Sequence, residues 1–452
     1  MRKKWDEQLS ISHFLPRNRV AKELTAISAI LDAHSEFLEV AYKDLSKARV
    51  DTGRDGMTAE QVLRCAALKQ YRSLTYEELE FHLQDSQSFR AFARLRMGEY
   101  PSASTLQENI KALSIDTWMA VHEANLRYAE TQGWEKGRKT RMDSTAVETN
   151  IHRPTDSTLL QDGIRIITRW LAEGQELRPM PAYSFTDHNR RAKKRCLEIL
   201  NTQKEAVREK AYQDLLNLAG CVRGYALAAI PVLYGYVHED EAQRLQAQAL
   251  AKKLEEAVGI LKQVIGQTER RVLHGEKVPA DEKVVSFFER HTDIIVKGRR
   301  QTRYGHKVFL TGGATGLILD CVIERGNPSD TALFPVLLER QEKLYDRPPR
   351  QVSADGGFAS KENLRDAKGR GVRDVAFAKK KGLSVLEMVK SYWVYKKLKN
   401  FRAGIEANIS RLKRSFGLSR CDWRGWLGFQ KYVWSSIVSY NLLVLARLKM
   451  AA

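Results

Sequence analysis

The chain has 452 residues, too many for one ordinary hydrophobic core, and its 43% of hydrophobic residues exclude a disordered polymer. Lys and Arg number 75 against 55 Asp and Glu, and a net charge of +20 calls for a polyanionic partner, nucleic acid first, because neutralising phosphates releases counterions. The five cysteines, Cys65, Cys196, Cys221, Cys321 and Cys421, form no C-x-x-C pair, which argues against a disulfide framework or a zinc site and fits reduced thiols in a cytosol.

The N-terminus, Met1–Asp6, is charged and has no apolar run after it, so no secretory signal is expected. The longest apolar runs, Tyr225–Val237 and Val433–Leu448, are too short or too interrupted to span a bilayer and read as buried helix. A cytoplasmic protein with no membrane partner is expected.

Residues 1–135 read as helical throughout, an all-α N-terminal domain for DNA binding or dimerisation. Capping boxes predict helix starts at Thr58 with Gln61, Thr75 with Glu78, and Ser104 with Gln107. A tight turn near Tyr71–Leu74 suits a helix-turn-helix that lays one helix in a major groove. A small bundle used only for dimerisation fits the same pattern.

Residues 136–180 change character. Arg138, Lys139 and Arg141 lead into a β-rich run, Met142–Val147, that carries Asp143. Pro154-Thr155-Asp156-Ser157 then signals a helix start. Residues 181–284 read as a basic helical insertion, with long runs of helical period such as Glu241–Arg271. Its entrance carries Arg190, Arg191, Lys193, Lys194 and Arg195, read as phosphate contacts in an already basic chain.

Residues 285–452 alternate strand and helix. Tyr304–Leu310 and Leu317–Glu324 flank Thr311–Gly316 and predict a hairpin. Ser329–Leu344 reads as a helix, and Arg350–Ala354 as a strand ending at Asp355-Gly356-Gly357. Lys361–Lys368 reads as a helix, Val372–Ala378 as a strand and Val394–Phe416 as a strongly basic helix. This order predicts an α/β fold, a mixed sheet flanked by helices, with the all-α N-terminal domain and the all-α insertion.

Cleaving a phosphodiester needs an in-line attack on phosphorus, which two divalent ions assist by activating the attacker and stabilising the leaving oxygen. Hard ions take oxygen ligands, so carboxylates from separate elements must converge. Asp143 sits on the first strand, although a strand-end Asp in a turn has the same look. Asp355 ends a short strand, and its two glycines leave room for a close approach, although Asp-Gly turns are common. In the basic helix Phe401, Ile405, Ile409, Leu412 and Phe416 span an arc of roughly 80° at helical spacing. Arg402, Glu406 and Lys413 fall beside that stripe, within about 40° of one another. Glu406 therefore sits at the edge of the buried face between cations, as a metal ligand or as half of a structural ion pair.

The ordered set of strand Asp, Asp-Gly-Gly and Arg-x3-Glu-x6-Lys resembles the DDE transposases of bacterial insertion sequences, whose catalytic core is RNase H-like. Gly53–Leu113, with Leu74–Leu79 and Pro101–Leu106, resembles the helical domain before that core. Met142–Thr145 resembles its first catalytic strand, Tyr304–Lys307 the strand opening the hairpin and Ala354–Gly357 the second catalytic Asp. His152–Ser157 resembles a segment that follows the first strand in one group. Arg402, Glu406 and Lys413 match the Y-x2-R-x3-E-x6-K signature, while Lys399 stands where the tyrosine belongs. The group that matches best is the heterogeneous one labelled "not classified yet" (ISNCY). The helical insertion here lies between the first strand and the hairpin, whereas several relatives carry one just before the catalytic Glu.

The resemblance implies a nucleoid-associated bacterial enzyme that binds the terminal inverted repeats of a mobile element, cleaves there and joins the 3′ ends to target DNA. It implies Asp143, Asp355 and Glu406 as catalytic ligands of two Mg²⁺ ions, for which Mn²⁺ can substitute. Arg402 and Lys413 would contact phosphates near the cleaved end, and Lys379, Lys380, Lys381, Lys396, Lys397 and Lys399 would form a track for double-stranded DNA. A homodimer is expected by analogy, since two ends must be held. Trp423 and Trp426 follow the basic helix and read as core, with stacking on a base as the lesser reading. A rival carboxylate set would use Asp156, Asp293 or Asp320. Rival functions are a structure-specific nuclease without strand transfer, and an inactive DNA-binding derivative, which three intact carboxylates argue against.

Overall fold

The computed structural model describes residue 4 and residues 18–46, 56–297, 301–379 and 381–452. Among the described residues seven helices lead: α1 (Arg19–Ala33), α2 (Phe37–Ser46), α3 (Ala59–Arg72), α4 (Tyr76–Asp85), α5 (Gln87–Phe92), α6 (Ala103–Ala112) and α7 (Ile115–Thr131). After strand β1 (Lys139–Glu148) come α8 (Asp156–Gln175), α9 (Asn189–Asn201), α10 (Glu205–Tyr234) and α11 (Glu241–Thr268). Strands β2 (Asp293–Lys297), β3 (Gln301–Gly312) and β4 (Ile318–Ile323) follow, then α12 (Asp330–Tyr345), β5 (Gln351–Ala354), α13 (Lys361–Gly369) and β6 (Asp374–Phe377). The chain finishes with α14 (Val385–Met388), α15 (Tyr392–Ser415) and α16 (Gly425–Ala451). Two compact units result, Met1–Asn150 with Ile295–Ala452, and Ile151–Ile294.

The first unit contains the mixed sheet. Its order is β2-β3-β1-β5-β6, with β4 paired to β3. β1 runs antiparallel to β3, Asp143 opposite Leu310, and parallel to β5, Met142 opposite Ala354. β5 and β6 are parallel. A hairpin on one side of β1 and parallel strands on the other is the α/β arrangement expected from the element order. Alternation along β1 sends Met142 into a core with Phe309, Phe334 and Phe358, and Val147 into one with Leu310, Ile405 and Leu412. Both faces of β1 are thus covered, one by α12 and the other by α15.

The leading helices pack on α16. Ile27 of α1, Leu68 of α3 and Trp118 of α7 share a core with Val438 and Leu442, so the apolar run Val433–Leu448 is a buried helix as expected. The capping boxes at Thr58 and Thr75 are present. The third helix start differs: Ser102, not Ser104, caps α6, its Oγ accepting from Thr105 N–H at 3.3 Å. Ser102 has the extended backbone of a cap (φ −71°, ψ 161°), two residues before the position the Ser104 pattern suggests. α3 buries Arg64 and Lys69, and α4 exposes Glu77 and Glu78. Neither helix turns a basic face to solvent, which suits packing better than groove reading.

In the second unit α8, α9, α10 and α11 share one core built from residues such as Ile167, Ile199, Leu215 and Leu254. Among the described residues α10 alone is long and apolar enough to cross a membrane by length and composition. One of its faces, with Leu215, Val222 and Leu233, is buried in that core.

Candidate active site

β1, the end of β5 and α15 bring three carboxylates to one place. Parallel pairing sets Asp143 beside the end of β5, where Asp355 N–H donates to the Met142 carbonyl at 3.2 Å. α15 lies over both strands. Arg141 Nη1 donates to the Phe401 carbonyl at 3.2 Å, Ser353 Oγ to that of Leu398 at 2.9 Å, and Lys413 Nζ reaches back to that of Ala146 at 2.8 Å. Gly404 makes this approach possible, since a Cβ there would overlap the Arg141 guanidinium.

Arg402 sits at the point of convergence. Its Nη1 is 3.5 Å from Asp143 Oδ2 and 3.5 Å from Asp355 Oδ1, and its Nη2 donates to Glu406 Oε1 at 2.7 Å. The Asp143 and Arg402 side chains are each 16% exposed, whereas Glu406 is 57% exposed. Arg402 Nε is buried and makes no hydrogen bond among the described residues. Three oxygen-donor side chains around one cation, with part of that cation unsatisfied, fit hard divalent ions in number and chemistry. Among the described residues no three such groups lie close enough together to hold an ion as they stand, and the Arg402 guanidinium is in contact with each of these three.

The opposite face of β1 holds a group that sequence reading missed. Ser144 Oγ donates to Asp330 Oδ1 at 3.2 Å, and Lys307 Nζ lies 2.7 Å from the same oxygen. Asp330 fills the space where a Gly357 side chain would stand, and the methylenes of Lys379 cover Gly356. The two glycines after Asp355 are therefore required by close neighbours. Asp330 was hidden because Ser329-Asp330 reads as a helix start, which it also is.

The rival carboxylates are elsewhere engaged. Both oxygens of Asp320 accept from Arg340, at 2.5 and 2.7 Å. Asp156 is the first residue of α8, capped by Thr155, and accepts from Arg271 at 2.9 and 3.1 Å within the helical unit. Asp293 begins β2.

Lys379, Lys381, Lys396, Lys397 and Lys399 are all exposed, and Lys380 lies outside the described residues. Lys139 lies over the Phe401 ring, 4.2 Å from its centroid. Burial, with Lys397 and Arg141 close by, holds its ammonium below the ordinary lysine range. Trp423 is buried in the core, and Trp426 is half-buried, packed against His306 and Phe429. The exposed aromatics of α15 are Tyr392 and Trp393, with Lys397 Nζ 5.0 Å from the Trp393 ring centroid. In the helical unit Arg190, Lys193 and Lys194 are exposed, while Arg191 and Arg195 both pair with Asp214.

Residues 281–442 match the family model of the Transposase DDE domain, and residues 9–112 match that of the Transposase domain (DUF772). Both matched models are described as transposase domains. The matches support a DNA transposase of the insertion-sequence kind, an enzyme whose DDE domain implies divalent metal use and DNA as partner. The transposase DDE match takes in Asp355, Arg402 and Glu406 and begins after Asp143. No curated protein and no solved structure matches the chain.

Proposed function

We propose that this transposase binds the terminal inverted repeats of an insertion sequence of the ISNCY group, cleaves there and joins the freed 3′ ends to target DNA. The observation that carries this reading is the convergence of Asp143, Asp355 and Glu406, from three separate elements, on one guanidinium. In this reading these three carboxylates hold two Mg²⁺ ions, with Mn²⁺ as a substitute. Bound there, the ions would activate the attacking water or 3′ hydroxyl and stabilise the leaving oxygen.

The chain's own residues do the positioning. Pairing of β1 with β5 fixes Asp143 against Asp355, and Lys413 ties the far half of α15 to β1 so that Glu406 stays over the strands. The exposed lysines of α15, with Lys379 and Lys381, would take DNA phosphates beside the site. Residues 1–135 would bind element ends or pair two protomers, and the exposed cations of α9 would add phosphate contacts from residues 181–284. A homodimer in the bacterial cytoplasm, on the nucleoid, completes the reading.

Labelled element ends incubated with the protein, target DNA and Mg²⁺ test it. Joined products are expected. Cleaved ends with no joined product would favour a structure-specific nuclease instead.

The lysine track has its own signature. The logarithm of DNA affinity should fall linearly with the logarithm of salt, by about 0.9 per phosphate neutralised. Replacing Lys396, Lys397 and Lys399 together by Ala should flatten that slope by about two to three units, measured by fluorescence anisotropy on double-stranded DNA. An unchanged slope would remove these lysines from the interface.

A further inference from the structure

The guanidinium of Arg402 does not have the fit of a finished structural ion pair. Only Glu406 is at the distance of a strong charge-assisted hydrogen bond, 2.7 Å; Asp143 and Asp355 stand off at 3.5 Å. One edge of the group, Nε, is buried and makes no hydrogen bond among the described residues. A structural guanidinium at such a site would be expected to use its fork bidentately, as Arg340 does on Asp320. Three carboxylates around so small a space repel one another unless a cation lies between them. Arg402 supplies that cation, and it occupies the space between their oxygens.

We propose that Arg402 is a built-in counter-ion. It keeps the three carboxylates assembled before metal arrives and competes with divalent ions for them, so that loading requires its guanidinium to leave. The proposal rests on the reading that Asp143, Asp355 and Glu406 are the metal ligands. Arg402 is accordingly a positioning residue in the metal-free protein, one that sets how tightly metal is held.

Mn²⁺ binding by the full chain, followed by loss of the free-ion electron paramagnetic signal and by calorimetry, reads this without any catalytic assay. Arg402→Ala and Arg402→Gln should bind Mn²⁺ about tenfold more tightly than the unaltered protein, because no resident cation has to be displaced. Arg402→Lys, which keeps a charge but not the fork, should fall between. Without metal the neutral variants should unfold at lower temperature than the unaltered chain, and saturating Mn²⁺ should close most of that gap.

Equal or weaker Mn²⁺ binding by the neutral variants, with an unaltered circular dichroism spectrum, would overturn the proposal. Arg402→Gln keeps much of the side-chain stem and supplies the result if Arg402→Ala does not fold. Asp143→Asn separates this failure from failure of the site itself. If that variant binds Mn²⁺ as the unaltered chain does, the ions are not at these carboxylates and both readings fall. If it loses Mn²⁺ while the Arg402 variants gain nothing, only the counter-ion role falls.

Discussion

Asp143→Asn, Asp355→Asn and Glu406→Gln should each lower Mg²⁺-dependent cleavage about a thousandfold. Each replacement keeps the side-chain shape and removes one anionic oxygen donor. Metal-borne stabilisation of transition-state charge is worth several kcal/mol, and each 1.36 kcal/mol is a factor of ten in rate, so losing about 4 kcal/mol gives that fall. Binding of element ends should survive, because the exposed lysines proposed to hold phosphates, such as Lys396 and Lys399, are not altered. Stability should change by only about 1 kcal/mol or less for Glu406→Gln, since that carboxylate is 57% exposed and its pair with Arg402 is screened. Single-turnover cleavage of a labelled end, beside a binding isotherm for the same DNA, makes the comparison. Cleavage retained in all three variants would dismiss the site.

The second large effect is structural. Gly305 stands opposite Glu148 in the β1–β3 ladder, and a Cβ there would overlap the Val147 carbonyl oxygen and come within 2.7 Å of Glu148 Cα. Backbone cannot yield as a flexible side chain does, so Gly305→Ala must part the two strands. We expect a loss of about 3 kcal/mol. Gly369→Ala, at the end of α13 with open space around it, should stay within about 0.5 kcal/mol of the unaltered chain. Denaturant unfolding measures both. Because β1 carries Asp143, Gly305→Ala should also lower cleavage beyond what unfolding explains. A Gly305→Ala protein as stable as Gly369→Ala would contradict the tight pairing of these strands.

Much of the sheet was legible because its signals are local. The hairpin showed as two β-rich runs around Gly312-Gly313, and β5 as a short run stopped by Asp355-Gly356-Gly357. The face of α15 followed from spacing alone: Ile405, Leu412 and Phe416 are buried, and Arg402 and Glu406 sit at the edge of that stripe. What the sequence could not carry was long-range contact. No pattern in Asn400–Glu406 says that Arg402 reaches Asp143 and Asp355 as well as Glu406, since those partners lie far away along the chain. Asp330 stayed hidden for a different reason, because helix-capping chemistry accounts for an acidic residue at that position without any site. The third cap was misplaced by two residues because Ser102 and Ser104 both offer a hydroxyl, and it is Ser102 that has the extended backbone of a cap.

The most direct measurement is an anomalous difference map from crystals of the full chain soaked in Mn²⁺. Peaks bounded by Asp143, Asp355 and Glu406, with the Arg402 guanidinium withdrawn from between them, are the predicted result. Mn²⁺ bound only at other carboxylates, such as Asp320 or Asp156, with Arg402 still bridging the three, would contradict the assignment.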